Sequence, residues 1–358
     1  MKIKVLTKED TSILKGFAIL CILMHNYFHW LKPIANMENE FGFNAENVLK
    51  FLSAFAEYPM ESINILFSYL GHYGVQLFIF ISGYGLAASM MNSYNGYKAF
   101  IYGRLRKLCP LVFIAIGSHY LMTVLVSHHI IDIIGVKSLF YKLLMIHTLI
   151  PNEGMSYIGP LWFVGMIFQL YLLFPILYKA IMKWGIKAFC VICSLSYICI
   201  YLCLYYPILP AGINIMQNFV GHLPEFTMGI LFFKMKDRTI SILYFITALM
   251  FFCLGNVYKM FFPLTFICIT YMMVCIYWLP KSNNELMDIV RRFFVFFGKI
   301  SMVLFATHSI LRVPFVEIAQ KANNPMYTLY VLVLYLICAI LVSLGAKIVY
   351  EKMVNYKQ

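Results

Sequence analysis

The segment that decides the fold is LKGFAILCILMHNYFHW, residues 14–30, in which Lys15 is followed by nine residues without a charge before His25. A helix of about 20 mainly apolar residues is long enough to cross the hydrocarbon core of a bilayer. The basic start resembles a signal peptide, but no small-x-small cleavage site follows before the polar HNYFHW. The segment therefore predicts an uncleaved first transmembrane helix.

The composition of the whole chain extends this prediction beyond its first segment. Hydrophobic residues make up 62% of the 358 residues, charged residues only 12%, and the mean hydropathy is +0.80. Soluble domains have roughly 45–50% apolar and about 25% charged residues. We therefore expect an all-α polytopic membrane protein, with residues 1–358 forming one transmembrane domain and no sizeable extramembrane domain.

Long apolar runs indicate about ten spans in a single bundle. The second run contains several glycines, so we expect a kink there or a short separate helix before it. The predicted spans are residues 12–31, 63–91, 108–129, 158–181, 187–206, 214–233, 239–257, 260–279, 293–315 and 326–349.

The distribution of basic residues predicts the orientation of these spans. With a cytoplasmic N-terminus, 21 of the 28 Lys and Arg residues fall on the cytoplasmic side and 7 on the other. Such an excess is typical of cytoplasmic loops. We therefore expect both termini in the cytoplasm, membrane lipid as the surrounding partner, and a net charge of +13 that reports topology and not nucleic-acid binding.

Histidines and acidic residues inside the spans are the candidate catalytic groups, because ionisable residues in a bilayer are costly and often functional. His25 and His29 are one helical turn apart, and His25 lies about 15 Å beyond Lys15 along a helix. Histidine can remove a proton from a hydroxyl nucleophile near neutral pH. The alternative for His25 is a structural histidine that hydrogen-bonds a carbonyl or a serine.

Two later spans carry further candidates of the same kind. His222 and Glu225 are three residues apart and could form a proton relay, a clamp on a substrate hydroxyl, or a structural pair at the Pro224 kink. His308 lies between Thr307 and Ser309, and Arg312 follows one turn later. We take Glu225 and His308 as alternative catalytic residues.

A basic cluster begins the third span. Arg104, Arg106 and Lys107 are either topology anchors or an anion site for the phosphates of a cytosolic cofactor, since arginine forms bidentate bonds to phosphate. We expect no metal: Cys190 and Cys193 have no second pair, and the ten cysteines fall in or at the ends of apolar runs, as small hydrophobic residues do.

A further pair has the spacing of a soluble acyltransferase motif. His128 and Asp132 are four residues apart. Because they end a predicted membrane span, we do not assign them a catalytic role, and adjacent histidines 128 and 129 would point about 100° apart on a helix and so make a poor metal site.

Five segments in order resemble acyltransferase family 3, the bacterial multi-pass membrane O-acyltransferases. They cover about 310 residues and include the Ser-Gly-aromatic, basic, Trp-aromatic and His-ending motifs of that family. The segments are LKGFAILCILMHNYFHW (14–30), VQLFIFISGYGLA (75–87), YGRLRKLCP (102–110), GPLWFVGMIFQLYLLFPIL (159–177) and GKISMVLFATHSIL (298–311).

The resemblance implies acyl-CoA, most often acetyl-CoA, as the donor, with its phosphates near the basic cluster. It implies that His25, assisted by Lys15 or a neighbour, is the base at the bacterial inner membrane. The acceptor is expected to be a hydroxyl of a cell-surface or lipid-linked glycan, with a small molecule as the alternative. The residues expected to contact substrate are Ser82, Trp162 and Gln169 of these motifs, together with His222.

The chain departs from the family pattern in its first helix, and it has Ile167 and Phe168 where many members have a pair of glutamates. The family has an arginine eleven positions before the histidine, whereas Lys15 precedes His25 by ten and Asn26 occupies the eleventh position. Two other functions fit the sequence: a secondary transporter or flippase for a glycan or lipid precursor, and a non-catalytic membrane partner with the same fold. The chain lacks the internal repeat of many transporters.

Overall fold

The computed structural model describes residues 3–91, 96–124, 133–239, 241–279, 284–322 and 324–355. Short 3₁₀ turns connect several of the α-helices in these ranges. The α-helices are α1 Lys8–Phe28, α2 Ala45–Glu57, α3 Ser62–Leu70, α4 Gly74–Met90, α5 Tyr97–Met122, α6 Ile133–Leu143, α7 Trp162–Trp184, α8 Ile186–Tyr205, α9 Phe219–Lys234, α10 Ile242–Val257, α11 Leu264–Tyr277, α12 Glu285–Ala322 and α13 Pro325–Asn355.

Six stretches of helix within these ranges are long and apolar enough to cross a membrane. They are Lys8–Phe28, Pro59–Met90, Gly159–Trp184, Ile186–Tyr205, Glu285–Ala322 and Pro325–Asn355. The all-α membrane fold is thus supported, whereas the count of ten spans and their orientation stay predictions. Helices α10 and α11 are apolar but have only 16 and 14 residues, α9 has 16, and α5 carries four basic residues in its first half.

The first helix begins where its sequence dictates. Thr7 Oγ1 accepts a hydrogen bond from the Asp10 amide at 3.1 Å, and the Thr7 amide donates to Asp10 Oδ2 at 2.8 Å. This capping box satisfies two amides that a helix N-terminus otherwise leaves unpaired. Lys15 therefore lies two turns into the helix.

Glycines set the closest helix contacts. A Cβ added to Gly16 of α1 would overlap the Phe294 carbonyl oxygen of α12, and one added to Gly298 would overlap the Ser12 oxygen. Likewise, a Cβ added to Gly83 of α4 would overlap the Phe226 oxygen of α9. One added to Gly229 of α9 would overlap the Phe80 oxygen of α4. Small residues allow membrane helices to approach this closely, and these contacts fix how α1 faces α12.

The glycine-rich second span is broken, as its sequence predicts. A 3₁₀ turn at Gly71–Tyr73 separates α3 from α4. A Cβ on Gly71 would lie 2.8 Å from both the Cys21 oxygen and His25 Cβ. The break therefore packs directly against α1 and brings His72 beside His25.

Candidate active site

A cavity of about 520 Å³, here named the cation cavity, lies between α1, α4, α5, α7 and α12. Its basic lining residues are Lys8, Lys15, Arg104 and Lys107. No salt bridge joins a carboxylate of the described ranges to any of the four. The cavity thus combines uncompensated positive charge with a concave shape, which suits a polyanionic ligand.

The interior of the cation cavity offers hydrogen bonds and apolar walls. Ser82 Oγ and Tyr171 Oη, both in its lining, are 3.1 Å apart. The Arg104 guanidinium lies 5.2 Å from the Phe100 ring centroid, and its Nε is buried with no hydrogen-bond partner. Phe163 and Phe305 close the opposite wall. An unpaired buried donor is costly, so an acceptor bound here would stabilise Arg104.

Arg106, the third residue of the predicted basic cluster, has a different position. Its Nε donates to the Val354 oxygen at 2.8 Å and so ties α5 to the end of α13. Arg106 does not line the cation cavity. The sequence grouped three neighbouring basic residues, and the structure turns two of them toward the cavity and one toward α13.

A second cavity of about 290 Å³, here named the polar cavity, is lined by later residues of α5 and α12 and by the residues just before α7. Ser301, Met302 and Phe305 of α12 line the cation cavity, whereas Ser309, Arg312 and Glu317 line the polar one. Likewise, Phe163 of α7 lines the cation cavity, and Gly159, in the turn just before α7, lines the polar cavity. The two cavities therefore follow one another along α12 and the beginning of α7.

His308 lies on α12 between the lining residues of the two cavities, three residues after Phe305 and one before Ser309, and itself lines neither. Its Nδ1 is 2.9 Å from the Phe305 oxygen and 3.2 Å from the Leu304 oxygen. Since carbonyl oxygens only accept, Nδ1 carries the proton in the neutral ring and Nε2 keeps a lone pair. Nε2 is buried without a hydrogen-bond partner. The ring is thus held in the tautomer of a general base.

His25 has the same tautomer in a different setting. Its Nδ1 is 3.1 Å from the Ser68 oxygen and 3.2 Å from the Phe67 oxygen, and its Nε2 is 4.0 Å from Glu40 Oε2. The contacts of Nδ1 are therefore those expected of a structural histidine that hydrogen-bonds backbone carbonyls. His25 lines neither the cation cavity nor the polar cavity.

His25 belongs to a partly buried cluster, here named the His–Glu cluster, with His29, His72, Glu38 and Glu40. The ring of His25 lies 5.3 Å from that of His29 and 5.5 Å from that of His72. Burial would raise the pKa of Glu38, but the 2.9 Å hydrogen bond and charge of His29 outweigh it and lower that pKa. Burial and then the Glu38 charge raise the pKa of Glu40 well above its usual value.

The His–Glu cluster also has the composition of a metal site. Ligand atoms of His25, His29 and Glu38 lie within 4.8 Å of one another and could hold an ion. Within the protein, His25 Nδ1 contacts backbone carbonyls, and His29 Nδ1 and Glu38 Oε2 hydrogen-bond each other. His25 Nε2 has no hydrogen bond to a described residue and lies 4.0 Å from Glu40 Oε2.

The one-residue shift in the first helix has a geometric consequence. At about 100° per residue, the position eleven after Lys15 returns to within about 20° of its face, whereas the tenth lies about 80° away. Asn26 accordingly faces α12, where its Oδ1 accepts from Arg312 Nη1 at 2.9 Å. His25 faces α3 instead, as its Phe67 and Ser68 contacts require.

The family model described as "Acyltransferase domain", that of acyltransferase family 3, matches residues 11–346, nearly the whole chain. This chain is a family 3 acyltransferase. Neither the curated proteins nor the solved structures include a significant match to it. The resemblance seen in five separate segments is thus confirmed over their full length, and the chain is an enzyme that transfers acyl groups.

The remaining residues predicted to contact the substrate of this acyltransferase lie around the start of α9. The Trp162 and His222 rings are 5.7 Å apart, and His222 Nε2 donates to the Met216 oxygen at 2.8 Å. The Gln169 amide nitrogen donates to Thr148 and Asn218, and its oxygen accepts from the Phe219 amide. Gln169 therefore joins α7, the 147–149 turn and α9, and most of its hydrogen-bonding capacity is used within the protein.

Glu225 is buried in α9 of the acyltransferase, at 1% exposure. Its Oε2 has no hydrogen-bond partner, and no hydrogen bond links it to His222. The proton relay expected from their spacing is thus not formed as a direct pair in the described residues. His128, His129 and Asp132 lie outside the described residues.

Sequence reasoning missed three members of the His–Glu cluster: His72, Glu38 and Glu40. The signal for His72 was available, because it follows Gly71 in a span where few polar residues occur. The two glutamates stand in a polar stretch between spans, and nothing in their spacing distinguishes them from solvent-exposed acidic residues.

Proposed function

We propose that this acyltransferase moves an acyl group, most simply acetyl, from cytosolic acyl-CoA to a hydroxyl of a cell-surface or lipid-linked glycan. It would work in the bacterial cytoplasmic membrane with both termini in the cytoplasm. The observation that carries the proposal is that the two cavities line successive stretches of α12 on either side of His308, so a donor and an acceptor could approach this residue from opposite directions.

The donor would bind in the cation cavity. CoA carries a diphosphate and a further phosphate, and Lys8, Lys15, Arg104 and Lys107 supply positive charge at one site. Their side of the bundle is cytoplasmic if the 21:7 distribution of basic residues sets the topology. The apolar wall around Phe163 and Phe305 would accept the acyl-bearing end and direct the thioester toward His308.

The reaction needs a base beside the thioester carbon. An acceptor hydroxyl would lose its proton to His308 Nε2 while its oxygen attacks the thioester carbonyl carbon. The new C–O bond forms, the C–S bond breaks, and the protonated ring returns the proton to the leaving thiolate. The products are an ester and CoA thiol. Electrons and protons balance without a redox partner or metal.

The choice between His308 and His25 rests on position, since both rings carry a free Nε2. His25 is the base that the family resemblance implies, but its Nε2 points toward Glu40 and it lines neither cavity. His308 lines neither cavity either, but it lies on α12 between Phe305, which lines the cation cavity, and Ser309, which lines the polar cavity. We therefore propose His308 as the base and Lys15 as a donor-binding residue. Glu225, buried in α9, lines neither cavity and is a weaker alternative.

Removing one cation should weaken binding of the donor. We expect Arg104→Met and Lys107→Met each to raise the Kd for acetyl-CoA about 10-fold, because each loses a charge-assisted hydrogen bond worth about 1.5 kcal/mol. Equilibrium binding to the purified enzyme in detergent measures this. The matched control is Lys98→Met, an exposed lysine of the same helix, which should leave Kd unchanged. Equal Kd values in all three variants would remove the cation cavity as the donor site.

A further inference from the structure

The polar cavity is lined by a positively charged side chain, that of Arg312, which has no role in the acyl-transfer step proposed above. We propose that Arg312 binds an oxyanion of the acceptor, a carboxylate or a phosphate, and that the enzyme therefore acylates a hydroxyl on an anionic sugar residue. The inference rests on the proposed function for the identity of the acceptor. Oxyanion binding itself does not depend on it.

Arg312 is held in place by two contacts and has donors to spare. Its Nη1 donates to Asn26 Oδ1 at 2.9 Å and lies 3.3 Å from the Asn26 backbone oxygen. Its guanidinium carbon is 5.3 Å from the Trp30 ring centroid. Arginine has five N–H donors in a rigid fork that matches carboxylate and phosphate oxygens. The contacts with Asn26 involve only Nη1 of Arg312, and the guanidinium packs against the ring of Trp30.

The charge of Arg312 has no counterpart among the described residues. No carboxylate of the described ranges lies within salt-bridge distance of it. Arg312 is partly buried, and an uncompensated cation removed in part from water is costly. Glu317 lines the same cavity five residues further along α12. A bound oxyanion would supply the missing negative charge. Glu317, which repels a bare anion, could accept hydrogen bonds from the hydroxyls of a sugar that carries one.

The distance to His308 connects this site to the chemistry. Arg312 lies four residues after His308, which is about 6 Å along the helix. The hydroxyl groups of Thr123 and Ser309 line the space near it. An oxyanion bound at Arg312 would therefore hold a neighbouring hydroxyl of the same sugar ring within reach of the free Nε2.

Thermal unfolding of the full-length enzyme in detergent tests the proposal without an activity assay. The probes are methyl glucuronide, glucose 1-phosphate and methyl glucoside at equal concentration and ionic strength. We expect an increase in Tm from at least one of the two anionic sugars and none from the neutral one. A shift with methyl glucuronide alone identifies a carboxylate acceptor, and a shift with glucose 1-phosphate alone identifies a phosphate acceptor.

Variants separate binding from structure. Arg312→Gln should abolish the sugar-induced shift, whereas Arg292→Gln, at an exposed arginine of the same helix, should keep it. Loss of the Asn26 bond lowers the starting Tm of Arg312→Gln, so only the ligand-induced shift is compared. Should that variant not fold, Arg312→Lys decides, because it keeps the charge, loses the fork and should bind at least several-fold more weakly.

Three results would overturn the proposal: a neutral sugar as effective as the anionic ones, an unchanged shift in Arg312→Gln, or no shift with either anion at tens of millimolar. The acetyl-CoA-induced shift, measured on the same samples, should persist in every variant. Its absence from the unmodified enzyme would count against the proposed donor site and leave the oxyanion result standing.

Discussion

The His308→Gln variant should lose acyl transfer by a factor of about 10²–10⁴, the usual contribution of a general base. Glutamine fills a similar volume and is neutral, so the α12 packing and the binding of acetyl-CoA should be retained. The measurement is the rate of transfer of labelled acetyl from saturating acetyl-CoA to the glycan fraction of host membranes, alongside the Kd for acetyl-CoA.

The matched variant is His25→Gln. We expect its rate to fall less than about 10-fold, because the His25 ring faces α3 and the His–Glu cluster and not the two cavities. If His25→Gln is inactive while His308→Gln retains transfer, the base is His25, as the family resemblance implies. In that case the one-residue shift does not displace the catalytic ring.

The second large effect concerns stability. We expect Gly298→Ala to destabilise the enzyme by about 1–3 kcal/mol, and Gly298→Leu by more, because the added atoms overlap the Ser12 carbonyl of α1 and the two helices cannot separate without breaking their other contacts. Thermal unfolding in detergent measures the effect as a lower Tm.

Gly345 on α13 provides the control for this prediction. A Cβ there meets nothing within 4 Å, so Gly345→Ala should leave Tm unchanged or slightly higher, since alanine favours a helix over glycine by up to about 1 kcal/mol. Equal losses of Tm at both positions would show that the contact between α1 and α12 does not determine the result.

Local features of the fold could be predicted from the sequence because their causes are local. The apolar run after Lys15 predicts the first helix, and the glycines around Gly71 predict the break in the second span. Both lie within one stretch of chain. The motif segments likewise identified the family, since they depend on residue order alone.

The face that each helix turns to its neighbour could not be predicted in the same way. Whether His25 or Asn26 faces α12 depends on how α1 packs against a helix more than 260 residues later in the chain, through Gly16 and Gly298. The same limit applies to Gln169, whose motif position suggested substrate binding while its amide bonds to Thr148, Asn218 and Phe219.

Reconstitution in liposomes tests most directly whether acyl-CoA is the donor and a glycan hydroxyl is the acceptor. The purified enzyme is reconstituted in liposomes with a glycan extract of host membranes and given acetyl-CoA labelled in the acetyl group. We predict hydroxylamine-sensitive label in the glycan fraction, with one CoA thiol released for each ester formed. Movement of glycan across the liposome membrane without acetyl-CoA, and no labelled ester, would contradict the account.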